Sequence, residues 1–198
     1  MLDRQPPQPA AGQAFATPSA GSRPGRTAPA THPTVQPLPR SKPVRLRVPA
    51  ISVNAPMTTL DLDKAGALRP PPGDNPNLAG WYGKGPAPGS AGTAVIAGHV
   101  DLRTGGPGVF YDLGALAKSD MIEISRADGR TAMFTVDAVE VYDKARFPNK
   151  KVYGGSERPE LRLITCGGYV KNAGYRSNIV VYATLTAVKP PIGRFLAE

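Results

Sequence analysis

Three side chains stand out as able to do chemistry together. Cys166 is the single cysteine of the chain, and His99 is one of two histidines. The apolar run Leu161-Arg162-Leu163-Ile164-Thr165 leads directly into Cys166, and Gly167-Gly168 follows it. Thr93-Ala94-Val95-Ile96-Ala97-Gly98 leads into His99 in the same way, ahead of a Gly-rich loop. Strand ends lie at the rim of a β scaffold, where rigid backbone can aim a side chain. The other histidine, His32, sits in a Pro-rich leader between Thr31 and Pro33, with nothing to position it.

A free thiol has a pKa of about 8.5 and attacks as the thiolate, so it needs a partner near neutral pH. A histidine supplies positive charge or moves the proton. Acyl transfer also needs a donor for the developing oxyanion. Arg176 is placed for that role, at the start of the last strand and ten positions after Cys166. The same pattern fits an inert core thiol, an incidental loop histidine and a solvated arginine, and residue types alone leave both readings open.

The elements that must hold these residues are short strands. Pro (23) and Gly (22) are both abundant, which disfavours long helices. Val44, Leu46 and Val48 alternate with Arg45 and Arg47, the period-2 pattern of a half-buried strand that bends at Pro49 and resumes at Ile51-Ser52-Val53. Residues 66–90, with Pro70-Pro71-Pro72 and Asp74-Asn75-Pro76, read as loop anchored by Trp81. Val109, Leu113 and Leu116 are spaced for one short helix. Asp128-Gly129 marks a hairpin between a strand over 121–124 and a return strand over 131–142. The apolar phase of that return strand slips between Val136 and Val139, which requires a bulge or bend. Residues 179–188 form a last, central strand. The expected fold is all-β, with its edges removed by closure into a barrel.

Residues 1–42 hold nine prolines and only isolated apolar residues such as Phe15 and Leu38. They are expected to form a disordered or partly polyproline linker, a spacer dispensable for chemistry, ahead of a catalytic domain over 43–198. A formal charge of +9 suits an anionic envelope, while no motif or basic run interleaved with aromatics points to nucleic acid. With one cysteine no internal disulfide forms. No cluster of metal ligands is visible, so neither metal nor cofactor is expected. No stretch approaches the roughly 20 apolar residues of a membrane helix.

Several segments carry a family resemblance. Leu163-Ile164-Thr165-Cys166 resembles the L-x-T-C segment of sortases, Ala97-Gly98-His99-Val100-Asp101 their G-H motif, and Tyr175-Arg176-Ser177-Asn178-Ile179-Val180-Val181-Tyr182-Ala183 their arginine-bearing strand. The order His, Cys, Arg is also the family's. Residues 48–56 are similar to its first strand and residues 107–113 to its short helix after the His loop. The Cys-Gly-Gly context and the Pro-rich leader look most like the actinobacterial class E/F sortases, with class F favoured.

The resemblance implies a closed barrel of about eight strands with one or two short helices. It implies a cysteine transpeptidase cleaving an LPxTG-like sorting signal at Thr–Gly. Cys166 would form the thioester, His99 would move the proton, Arg176 would hold the oxyanion, and Thr165 would hydrogen-bond the substrate. An amine of the cell wall or of a pilin, or water, would take the acyl group. Work at the cell surface would follow, with membrane attachment through an anchor this sequence does not contain. Asp101 either orients His99 or caps its loop. L,D-transpeptidases place their cysteine in a Ser-His-Gly-Cys context, and papain-like folds put Cys before His on a helix. The alternative from another class is a non-catalytic barrel that binds an envelope polymer or peptide.

Overall fold

The computed structural model describes residues 6–15, 35–102, 104–166 and 177–191. Eight strands close into one barrel. They are β1 (Pro43–Val48), β2 (Val53–Leu60), β3 (Ala79–Tyr82), β4 (Gly92–His99), β5 (Met121–Arg126), β6 (Thr131–Asp143), β7 (Pro159–Cys166) and β8 (Ser177–Lys189). Around the barrel the order is β1-β2-β3-β4-β7-β8-β6-β5, and β5 pairs with β1 to close it. All pairs are antiparallel except β2 with β3 and β4 with β7. The single α-helix among the described residues, α1 (Asn149–Tyr153), lies between β6 and β7.

The strand patterns dictate which face is filled. In β1, Leu46 and Val48 point inward and Arg45 and Arg47 outward. In β5 and most of β6, every second residue is buried. Trp81, Ile96, Phe110, Phe134, Leu163 and Val181 meet inside the barrel. A second cluster covers part of the outer face: Val95, Ala138, Val152, Ile164, Val180 and Tyr182, with Leu68, Tyr82, Tyr142 and Phe147 against it. Covered on both sides, β4 is buried from Gly92 to Gly98, which explains its unbroken apolar run.

The phase slip in β6 is a bulge. Val136 pairs with Ala183 and Ala138 with Tyr182, so Asp137 is the extra residue. Its carboxylate accepts from Thr184 Oγ1 at 2.7 Å.

Three elements depart from the sequence expectation. The stretch after Val48 is not one bent strand: a 3-10 turn over Pro49–Ile51, closed by Ser52 at φ 56°, reverses the chain so that β2 runs antiparallel to β1. Within 66–90, Ala79–Tyr82 forms β3, whose four residues are too few to show a period among the surrounding prolines and glycines. The helix expected near Leu113 is one 3-10 turn, Leu113–Ala115.

Two stretches of the expected linker touch the barrel. Leu38 N donates to Gly89 O, and Arg40 donates to the carbonyls of Gly83 and Gly85 while its guanidinium lies 5.2 Å from the Trp81 ring. Further back, Pro6 is buried and Phe15 stacks edge-on to Tyr182 at 4.9 Å.

Candidate active site

A groove of about 1070 Å³ runs along the outer face of β4 and β7. Its floor is Thr93, Val95, Ala97 and His99 from β4, with Ile164 and Thr165 from β7 and Asn178 from β8. One wall is the segment between β2 and β3, including Leu62, Leu68 and Pro70; the other is the β6–β7 connection, with Lys144, Asn149 and Tyr153. The floor is mostly apolar, and polar groups gather at the end where the two strands stop.

That end is built by register. Across the parallel pair, Val95 faces Arg162, Ala97 faces Ile164, and His99 faces Cys166. Registered positions share one face of a sheet, and neighbouring strands lie about 4.8 Å apart. The backbone therefore brings His99, the one histidine among the described residues, and the one cysteine to adjacent places at the groove's end.

The backbone of His99 is held from behind. Its carbonyl accepts from Phe110 N at 2.9 Å, and Val100 O accepts from Gly108 N at 2.6 Å. A Cβ at Gly108 would collide with the His99 carbonyl, so the return of this loop requires glycine. The imidazole is held from the front: His99 Nε2 lies 2.7 Å from Pro71 O, and Pro71 is buried. A carbonyl only accepts, so Nε2 carries a proton in this contact.

Thr165 is 3% exposed, and by register it shares the inner face with Gly98. Its Oγ1 accepts from Ile179 N at 2.9 Å, tying the end of β7 to the start of β8. Asp101 lines the groove beside His99 and is bridged to Pro107 across its loop. Arg176 and Gly167-Gly168 lie outside the described residues, as does His32.

Behind the α1 wall lies a polar and aromatic cluster. Tyr142 Oη and Tyr182 Oη are 3.0 Å apart, and burial raises both phenols above their ordinary pKa, so the pair is neutral. The Arg162 guanidinium stacks 4.3 Å from the Tyr182 ring and pairs with Glu160 at 2.6 Å.

Two groups of the site escape a reading of residue types. Pro71 acts through its backbone carbonyl, which leaves no mark in the sequence beyond the run of three prolines. Asn178 sits within the arginine-bearing segment, two positions after Arg176, and that same-face spacing was the available signal. Among the described residues, no group of His, Cys, Asp or Glu is arranged to hold a metal ion. Nor is any described helix long and apolar enough to cross a membrane.

Comparison with known proteins decides the family. The sortase domain model matches residues 46–186. The chain belongs to the sortase family. Among solved structures, sortase A of Listeria monocytogenes superposes with a TM-score of 0.55 at 17% identity, covering 75% of this sortase and 89% of the other chain. Sortase A of Corynebacterium diphtheriae gives 0.54 at 22% identity over 76% and 64%. Sortase C-1 of Actinomyces oris gives 0.54 at 22% over 72% and 73%. At such identities the likeness is one of fold. Since sortases of the A, C and D types match about equally well, the comparison favours no class. A search of curated proteins by sequence returned no match. Membership of the family makes this sortase a cysteine transpeptidase in general terms, with the eight-stranded closed barrel as its fold.

Proposed function

We propose that this sortase cleaves an LPxTG-like sorting signal between Thr and Gly, using Cys166, His99 and Arg176. The observation that carries the reading is the register of His99 with Cys166 at the end of a groove of about 1070 Å³. The Cys166 thiolate attacks the threonine carbonyl carbon, and Arg176 stabilises the oxyanion. As the C–N bond breaks, His99 protonates the departing glycine amine and a thioester remains on Cys166. An incoming amine of the cell wall or of a pilin then attacks the thioester, His99 takes its proton, and the thiolate leaves. Water replaces the amine in the hydrolytic branch. Thr165, among the residues that line the groove, adds a hydrogen bond to the bound peptide. Apolar side chains of the signal fit the floor of Val95, Ala97 and Ile164.

The Cys-Gly-Gly context and the Pro-rich leader support a class E/F assignment, class F before E. The enzyme is proposed to work at the cell surface, on the outer side of the membrane. Residues 43–198 form its catalytic domain.

Mass spectrometry of the protein incubated with LPxTG-type peptides and amine acceptors tests the reading. The expected products are a Cys166-linked acyl intermediate and a transpeptidated peptide, both lost in Cys166→Ala. The rival is a barrel that binds peptides or polymers without chemistry. It predicts intact peptide, no adduct, and a Cys166 that reacts with thiol reagents only after unfolding.

A further inference from the structure

We propose that Asn178 contacts the substrate: its side-chain amide oxygen accepts a main-chain N–H of the peptide in the groove. The inference rests on the groove being the peptide site described above.

Register puts Asn178 in the row of the reacting groups. His99 faces Cys166 across β4 and β7, and Asn178 faces Tyr142 across β8 and β6. Between them, the antiparallel register of β7 and β8 runs to Ile164 opposite Val180. Two positions further along each strand come Cys166 and Asn178. The row therefore reads His99, Cys166, Asn178, Tyr142 across four neighbouring strands. Asn178 therefore lies on the strand next to that of the proposed nucleophile. It occupies the same outer face as Val180 and Tyr182, and it lines the groove.

Its amide oxygen is buried and has no hydrogen-bond partner among the described residues. A buried acceptor left unpaired is costly, and in native structures such a group calls for a ligand or a role. The neighbouring Ile179 N–H is committed to Thr165 Oγ1. The apolar residues of the floor, Val95, Ala97 and Ile164, offer side chains that cannot fix the main chain of an extended peptide. An acceptor one strand from Cys166 supplies that fix, taking an N–H close to the scissile carbonyl.

The test measures binding apart from chemistry, in the full-length Cys166→Ala protein. A fluorescent LPxTG-type peptide is compared with variants in which one amide at a time becomes an ester. The ester removes an N–H and adds no bulk. Each is titrated by anisotropy against proteins carrying Asn178 or Asn178→Leu, with thermal melts to confirm folding. One ester should weaken binding to the Asn178 protein by roughly 3- to 10-fold, the usual worth of one hydrogen bond. The same ester should cost the Asn178→Leu protein less than about 2-fold. Equal losses for every ester in both proteins would overturn the proposal, as would no binding of any peptide. A change confined to the ratio of amine transfer to hydrolysis in the active Asn178→Leu enzyme, with acyl-donor binding intact, would also overturn it. Coupled binding without thioester formation in the wild-type protein would uphold Asn178 while refuting the transpeptidase reading.

Discussion

His99 is gripped from both ends of its chemistry. Its backbone carbonyl is bonded by Phe110, and its Nε2 donates to Pro71 O, so exchange of a proton with a neighbour falls to Nδ1. Nitrogen NMR of His99 should therefore show Nε2 protonated in the neutral ring. Replacement by alanine should lower turnover by the roughly 10²- to 10⁴-fold typical of an acid–base group, measured as kcat/KM on a cleavable peptide. Arg176→Ala is expected to fall in a similar range, since loss of one oxyanion donor costs about 10²- to 10³-fold. His32→Ala should leave the rate unchanged, and equal effects at His32 and His99 would void the proton-transfer assignment. Rare residue types made His99 and Cys166 legible: one cysteine and two histidines leave few pairings to weigh. Asn178 and the Pro71 carbonyl were not legible. Their places at the groove depend on which strands become neighbours and on backbone atoms common to every residue.

Strands were readable where burial is one-sided or complete over six residues or more, as in β1, β5 and β4. Short elements were not: β3 and α1 have four and five residues, and tertiary contact holds them rather than local pattern. Arg126, at the end of β5, also owes its place to contacts distant in sequence. Its side chain is wholly buried, and it donates to Pro88 O at 2.5 Å, to Pro39 O at 2.6 Å and to Asp128 at 2.8 Å. It joins the hairpin, the segment before β4 and the leader. Hydrogen bonding from Arg126 holds the Asp128 carboxyl below its ordinary pKa. A carboxyl with a depressed native pKa stabilises the fold above its unfolded value, near 3.9, and loses that contribution as pH falls through the native value. Asp128→Asn should lower stability by about 2 kcal/mol at neutral pH, the order of a hydrogen bond to a charged group. In urea titrations, the gap between wild type and variant should narrow once the pH drops below about 4. A gap constant from pH 7 to pH 3 would show that the carboxylate is not the stabilising partner.

At the scale of the whole molecule, part of the leader is in contact with the barrel. Residues 6–15 lie on the barrel as a strap. Near its start, Pro7 O sits so close to Gly114 that a Cβ there would clash, beside Ile179 at the head of β8. Gln13 Oε1 accepts from Lys118 N at 2.7 Å, and Phe15 N donates to Glu140 at 3.0 Å. The Phe15 ring meets Tyr182, and Lys151 Nζ lies 5.2 Å from Phe15 and 5.5 Å from Tyr142. Lys151 also pairs with Glu140 at 3.9 Å. Lys151 belongs to α1, whose Asn149 and Tyr153 wall the groove, so the strap backs that wall from its outer side. An aromatic pair is worth about 1 kcal/mol beyond its buried area, and a hydrogen bond adds a similar amount. Deleting residues 1–5 should change neither stability nor kinetics. Deleting residues 1–15 should lower Tm by several degrees, the shift expected for a loss of about 2 kcal/mol in a chain of this size. It should also raise KM for the peptide by a few-fold, because α1 loses its backing, with kcat within about 2-fold because His99 and Cys166 are held by other contacts. Phe15→Ala should reproduce part of the KM change. If both deletions bind and turn over peptide like the full chain, the strap is only packing and the leader only a tether. If the longer deletion raises kcat several-fold, the segment restrains the chemistry rather than shaping the groove.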